Sequence, residues 1–122
     1  MKKTKQQEKY NLINEILHKS ICRNSEGSIK IFPNNTTEHE LIKFQVGLKL
    51  KKLGGELYSE VDFVTGGRAD LVYIDLNSNG YIIEILNSET DKQFEEKLKK
   101  YPSNFEIIKV KVKGFDIEKW DL

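Results

Sequence analysis

Two carboxylates set the chemical question in this chain. Asp70 and Glu84 lie within residues 66–89, GGRADLVYIDLNSNGYIIEILNSE. Glu84 has Ile82, Ile83, Ile85 and Leu86 as its neighbours. A charge in such a run is costly to bury unless a counter-charge or a cation accompanies it. Side chains two apart on a strand share a face, so Glu84 points with Ile82 and Leu86, and Asp70 with Val72 and Ile74. If the two strands pair, the carboxyl groups stand side by side as an oxygen-ligand site for Mg²⁺ or Mn²⁺. The carbonyl of Ile85 is a natural third protein ligand. An ion held there polarises a phosphodiester and lowers the pKa of a bound water.

The surrounding elements must hold that pair. ADLVYID (69–75) and GYIIEIL (80–86) read as strands joined by a turn at Leu76-Asn77-Ser78-Asn79, whose residues tolerate left-handed backbone. ELYSEVDF (56–63) alternates and precedes them as a third strand. FEIIKVKV (105–112) follows as a fourth, near a sheet edge. A helix is predicted from Thr36 or Thr37 to about Leu53, closed by Gly54-Gly55. Leu41, Phe44 and Leu48 mark its apolar stripe, and Ile42, Val46 and Leu53 broaden it. Another helix runs from near Ser88 to before Pro102, with Phe94, Leu98 and Tyr101 on one face. The core order is thus α-β-β-β-α-β. Ahead of it, residues 5–20 form an amphipathic helix through Tyr10, Ile13 and Leu17, widened by Leu12 and Ile16. SIKIF (28–32) is a short strand and PNN (33–35) a turn. The tail GFDIEKWDL packs through Phe115, Ile117 and Trp120.

At 122 residues the chain reads as one domain. Charged residues make up 32% of it and nearly cancel, with a formal net charge of +1. Near-neutrality does not exclude nucleic acid, because basic groups can cluster while acidic ones hold a metal. The lone Cys22 leaves no internal disulfide, so packing must hold the fold, as suits a cytoplasmic protein. No apolar run is long enough to span a bilayer, so no membrane is expected. No nucleotide-binding loop or nucleophilic triad is present.

The order of these motifs resembles the PD-(D/E)xK nuclease superfamily, the fold of restriction endonucleases and Holliday-junction resolvases. Its small archaeal, viral and phage members are the most similar. The likeness covers residues 36–112 and rests on Thr36-Thr37-Glu38-His39-Glu40 opening a helix, Gly67-Arg68-Ala69-Asp70 on one strand and Ile83-Glu84-Ile85 on the next. It leaves 1–35 as an N-terminal helix and short strand, and 113–122 as a tail. The resemblance implies a restriction-endonuclease-like α/β fold with a mixed central sheet flanked by helices. It also implies a Mg²⁺-dependent nuclease, with DNA as partner, in which Asp70 and Glu84 bind the metal and Glu40 supports it. By analogy, many enzymes of this fold are homodimers.

One position departs from the pattern. Leu86 stands where the superfamily carries a lysine that orients water and stabilises charge developing on phosphorus. Lys43, three residues after Glu40 on the same helix face, is the first substitute, and Lys92 the second. Gln93 or Asn87 could position water without supplying charge. Arg68, after two glycines, and His39 are candidate nucleic-acid contacts.

Each role has a structural competitor. Asp70 could pair with Arg68, and Glu40 could complete a capping box with Thr37. Glu60 and Asp62 could be the solvent face of their strand. The clusters Lys49/Lys51/Lys52 and Lys97/Lys99/Lys100 serve either as solvated faces or as phosphate contacts. The rival to the enzyme is a protein that kept the fold and binds nucleic acid or a protein partner without cleaving.

Overall fold

The structure is a computed structural model that describes residues 4–16, 26–87 and 91–122. Its elements in chain order are α1 (Lys5–Asn14), α2 (Thr37–Lys51), β1 (Glu56–Asp62), β2 (Arg68–Ile74), β3 (Gly80–Leu86), α3 (Asp91–Leu98) and β4 (Phe105–Lys111). The expected order α-β-β-β-α-β is therefore present from α2 onward.

The four strands form one mixed sheet in the order β1-β2-β3-β4. The first three pair antiparallel, and β4 lies parallel to β3. A two-strand hairpin needs only a short turn, which Asp75 organises by accepting the N–H groups of Asn77 and Asn79 at 2.9 and 2.8 Å. Ser78 takes the left-handed position there, with φ 63°. A parallel neighbour needs a longer crossover, and α3 lies in it.

Both faces of the sheet are covered, which explains why β2 and β3 read as nearly continuous apolar runs. On one face Ile42, Val46 and Leu50 of α2 pack against Leu57, Leu71, Tyr73, Ile83, Ile85 and Val110, with Phe115, Ile117 and Trp120 of the tail at the margin. On the other, Leu12 and Ile16 join Val72, Ile74, Ile82, Phe105 and Tyr101. Among the described residues no helix is long and apolar enough to cross a membrane.

Four details differ from expectation. Helix α1 stops at Asn14 because the chain turns there to meet the hairpin. Ile16 bridges Phe63, and the Val64 N–H reaches the Glu15 carbonyl at 2.8 Å. Tyr10, expected on the buried stripe, is exposed while Leu12 and Ile16 are buried. The predicted continuation through residues 17–20, Cys22 and the helix start near Ser88 lie outside the described residues.

Residues 28–32 form no strand. They run beside β1, tied at Gly27 N–H to the Leu57 carbonyl (2.8 Å). From there the Ser59 hydroxyl bonds Lys30 N–H and Ser28 C=O, in place of ladder bonds. The stripe of α2 also differs: Ile42, Val46 and Leu50 point inward, whereas Leu41, Phe44, Leu48 and Leu53 are exposed.

Candidate active site

The site forms where β2 and β3 part. Their pairing runs from Ile74↔Gly80 to Leu71↔Ile83, and β3 then continues beside β4 to Leu86↔Lys111. Carried one step further, the β2–β3 register sets Asp70 opposite Glu84. Beyond the fork the Ile85 N–H has no β2 carbonyl to meet, and it donates instead to Asp70 Oδ2 at 2.8 Å. Pairing of β1 with β2 is regular on either side of Glu60 and Asp70, so these two also stand opposite each other. Three carboxylates, Glu60, Asp70 and Glu84, thus share one row across the sheet, and Lys109 of β4 is the partner of Glu84 in the same row.

Glu84 is 1% exposed. Its carboxyl meets the Tyr101 hydroxyl, which also bonds the Arg68 carbonyl at 2.8 Å. Glu84 also contributes to lowering the Asp70 pKa. Two neighbouring carboxyl groups are stabilised by a shared proton or by a cation between them. Burial raises the Asp70 pKa, but hydrogen bonds from His39, the Ile85 N–H and Glu84 outweigh it, and the group is held below its ordinary value.

Helix α2 delivers a second layer of charge. Thr36 caps it, its hydroxyl accepting the His39 N–H at 3.2 Å. The anticipated capping box through Thr37 and Glu40 is not used, and Glu40 is free for other partners. It accepts from Asn35 Nδ2 (2.8 Å) and the Phe32 N–H (3.1 Å), and pairs with Lys43 Nζ at 2.7 Å. Burial works against its charge, but these donors, Lys43 first, bring its pKa down to about 2. His39 lies between the layers, with Nδ1 at 3.0 Å from Glu40 and Nε2 at 3.5 Å from Asp70. The hydrogen bond to Asp70 is the main cause that raises the His39 pKa, against the opposing effect of burial. A neutral imidazole has one N–H, whereas the cation can donate to both carboxylates.

Lys43 is 0% exposed, and its ammonium pairs with Glu60 Oε1 at 3.0 Å as well as with Glu40. Glu60 reaches it by breaking strand alternation. Leu57 packs towards α2 and Tyr58 away from it, which would send Glu60 away too. A backbone φ of 50° turns it towards Lys43 instead, and Val61 then falls on the side opposite α2. Such a φ is uncommon for a residue with a Cβ and tends to occur at functional sites. Burial raises the Glu60 pKa, and Lys43 opposes that shift.

Asp70, Glu84, Ile85, Glu40, His39 and Lys43 are therefore brought together. Arg68 is not joined to Asp70: it forms a two-pronged pair with Asp62 at 2.9 and 3.2 Å and lies over the Phe32 ring. Lys92 is exposed on α3. Asn87 links the end of β3 to Thr36 at 3.2 Å. Of the lysine clusters, Lys49 is taken up by carbonyls of Ile117 and Trp120, and Lys51 by Glu26 and Gly55.

Glu60, Tyr101 and Lys109 escaped the sequence reading as site residues. For Lys109 a signal existed, since aligning the β3 and β4 runs as parallel neighbours sets it beside Glu84. For Tyr101, arriving from the turn before β4, no such signal was available.

Among the described residues no three His, Cys, Asp or Glu side chains are disposed to hold one ion. The donor chemistry at the fork still fits a hard cation that keeps most of its waters. Mg²⁺ is commonly held through one or two carboxylates, and Asp70 and Glu84, opposite each other in the register, supply two. Comparison with known families, with curated proteins and with solved structures finds no match.

Proposed function

We propose that this chain is a metal-dependent nuclease of the PD-(D/E)xK type, hydrolysing phosphodiester bonds in DNA. The observation that carries the reading is the register that sets Asp70 opposite Glu84 at the strand fork, with Glu84 fully buried. Mg²⁺ or Mn²⁺ bound there would supply Lewis acidity and an activated water. Asp70, Glu84 and the Ile85 carbonyl are the groups that would hold it.

The other residues orient these ligands. The Ile85 N–H and His39 fix the Asp70 carboxylate, and Tyr101 fixes Glu84. Lys43 stands fully buried between Glu40 and Glu60, so it acts by holding Glu40 in place rather than by touching substrate. Lys109 is better placed to supply the charge that Leu86 lacks. It neighbours Glu84 in the β3–β4 register, is exposed, and rests over the Phe94 ring at 4.7 Å. The positive charge then comes from the adjacent strand rather than from a helix.

The test is incubation with branched, single-stranded and duplex DNA in Mg²⁺ and in Mn²⁺, beside Glu84→Ala and Lys109→Ala. Cleavage abolished by the first change and reduced about 10²-fold or more by the second is the expected result. A rise of Tm with added metal, lost in Glu84→Ala, accompanies it. The engagement of Lys43 by two carboxylates and the leucine at position 86 favour a second reading, a nucleic-acid-binding protein that does not cut. Tight binding without cleavage in either metal decides for that reading.

A further inference from the structure

A groove opens beside the candidate site, between the outward side of α2 and the segment 28–33. Its volume is 640 Å³, with Ile29, Ile31, Phe32, Leu41, Phe44 and Leu48 as its apolar walls. The floor is built where Ile29 seats on Gly47, since a Cβ at that glycine would stand 2.7 Å from the Ile29 side chain. At its near end the groove runs into the site. Glu40 lines it there, and His39 leads from Glu40 to Asp70. Phe32, on the opposite wall, lies under Arg68, two residues before Asp70 on β2. Phe44 and Leu48 are 53% and 44% exposed, so the channel is open along its length. Its polar side chains are largely engaged: Asn35 donates to Glu40, and Lys51 is held by Glu26 and the Gly55 carbonyl.

We infer that this groove holds the bases of a single DNA strand whose backbone passes the fork of β2 and β3. A duplex keeps its base faces in the stack and presents phosphates outward, for which an apolar channel has no use. An unpaired strand has apolar base faces to bury, and aromatic side chains serve as platforms for them. Phe32 and Phe44 are the two rings of the groove. From Glu40 to Leu48 the helix rises about 12 Å, room for about three bases at a stacking distance of about 3.4 Å. Cations for the phosphates stand at the rim. Arg68 lies over Phe32, half exposed in its pair with Asp62, and Lys30 is exposed between Ile29 and Ile31. With Asn35, Glu40 and Lys51 engaged, few groups are left to read base edges, so binding is tolerant of sequence. The inference rests on the nuclease reading for the kind of ligand, and deepens it by naming single-stranded DNA, or a single-stranded end of a duplex, as the substrate.

Fluorescence anisotropy of the full chain in metal-free buffer tests it apart from cleavage. The probes are a short labelled single strand and the duplex of the same sequence. The single strand is expected to bind about tenfold or more tightly than the duplex. Phe44→Ala should weaken that binding by about tenfold, with circular dichroism and duplex binding unchanged. Phe44→Trp, which keeps a stacking surface, should retain the parent affinity, and Phe44→Leu should not. Phe32→Ala tests the other wall and should also cost about tenfold. A duplex bound as tightly as the single strand overturns the inference, as does single-strand binding indifferent to both Phe44→Ala and Phe32→Ala. So does a Phe44→Ala variant that changes only the sedimentation of the chain, which would make protein the occupant of the groove. Single-strand binding that needs Phe44, in a chain that cleaves no DNA in Mg²⁺ or Mn²⁺, supports the groove and refutes the nuclease reading alone. Duplex cleavage abolished by Glu84→Ala, as fast as that of the single strand and indifferent to Phe44→Ala, refutes the groove alone.

Discussion

Helix α2 has two faces that invert the usual rule. Its inward stripe runs His39, Lys43, Val46, Leu50, ionic in the first half and apolar in the second, while leucines and a phenylalanine occupy the outward face. Where the helix crosses the middle of the sheet it meets Leu57, Leu71 and Ile83 and buries aliphatic side chains. Where it passes the strand fork it meets Glu60 and Asp70 and buries Lys43 and His39. The face a helix turns inward is set by what the sheet presents at each level. Burying a lysine completely is expensive unless carboxylates meet it at hydrogen-bond distance, and two do.

The sharpest way to break this comparison is to remove the buried cation. Lys43→Met keeps volume and stem but leaves Glu40 and Glu60 facing each other without a counter-charge. A loss of about 3–5 kcal/mol in urea unfolding is expected at neutral pH. DNA cleavage should fall with it, since Glu40 loses its fixed position. A near-neutral result would mean that the ionic half of the stripe does not anchor the helix. Cleavage undiminished in a folded variant would remove Lys43 from the site.

A smaller effect separates the two carboxylates that Lys43 holds. The Glu40 pKa is brought from 4.5 to about 2 in the folded chain. A group depressed on folding stabilises the fold above its unfolded pKa, and that contribution is lost as pH falls through the folded value. Glu40→Gln should therefore differ most from the parent above pH 4.5, by about 2–3 kcal/mol, and converge with it near pH 2. Other acid groups, Asp70 among them, still titrate in both proteins, so the difference between two unfolding series is the quantity to read. Curves that stay parallel down to pH 2 would show that Glu40 gains nothing from its donors.

The same comparison explains what could be read from the sequence. The register that sets Asp70 opposite Glu84 was legible from the turn at 76–79, but strand parity misplaced the Asp70 side chain: Ala69 packs with Val72 and Ile74, and Asp70 turns instead to His39 on α2. The order α-β-β-β-α-β was legible for similar reasons. Glu60 was not, because its part depends on a left-handed backbone within β1 that reverses the alternation from which a strand face is inferred. Nor was the orientation of α2, whose apolar residues surround it on all sides. With Leu41, Phe44 and Leu48 competing against Ile42, Val46 and Leu50, periodicity alone has no preferred direction. What decides it is long-range, the position of Glu60 and Asp70 beneath the first turns. The segment 28–32 has strand-like alternation but lies beside β1 without joining its ladder, and there the deciding contact is the Ser59 hydroxyl.

The outward face gives the smallest effect and the most discriminating one. Leu41→Ser removes an apolar side chain that solvent already reaches over more than half of its surface. In the dilute monomer its stability should change by no more than about 0.5 kcal/mol, against several for Lys43→Met on the inward stripe. A large loss in the dilute protein would mean that Leu41 is covered within the single chain. The two faces would then no longer differ in kind, and the orientation of α2 would need another cause than the charges at the fork.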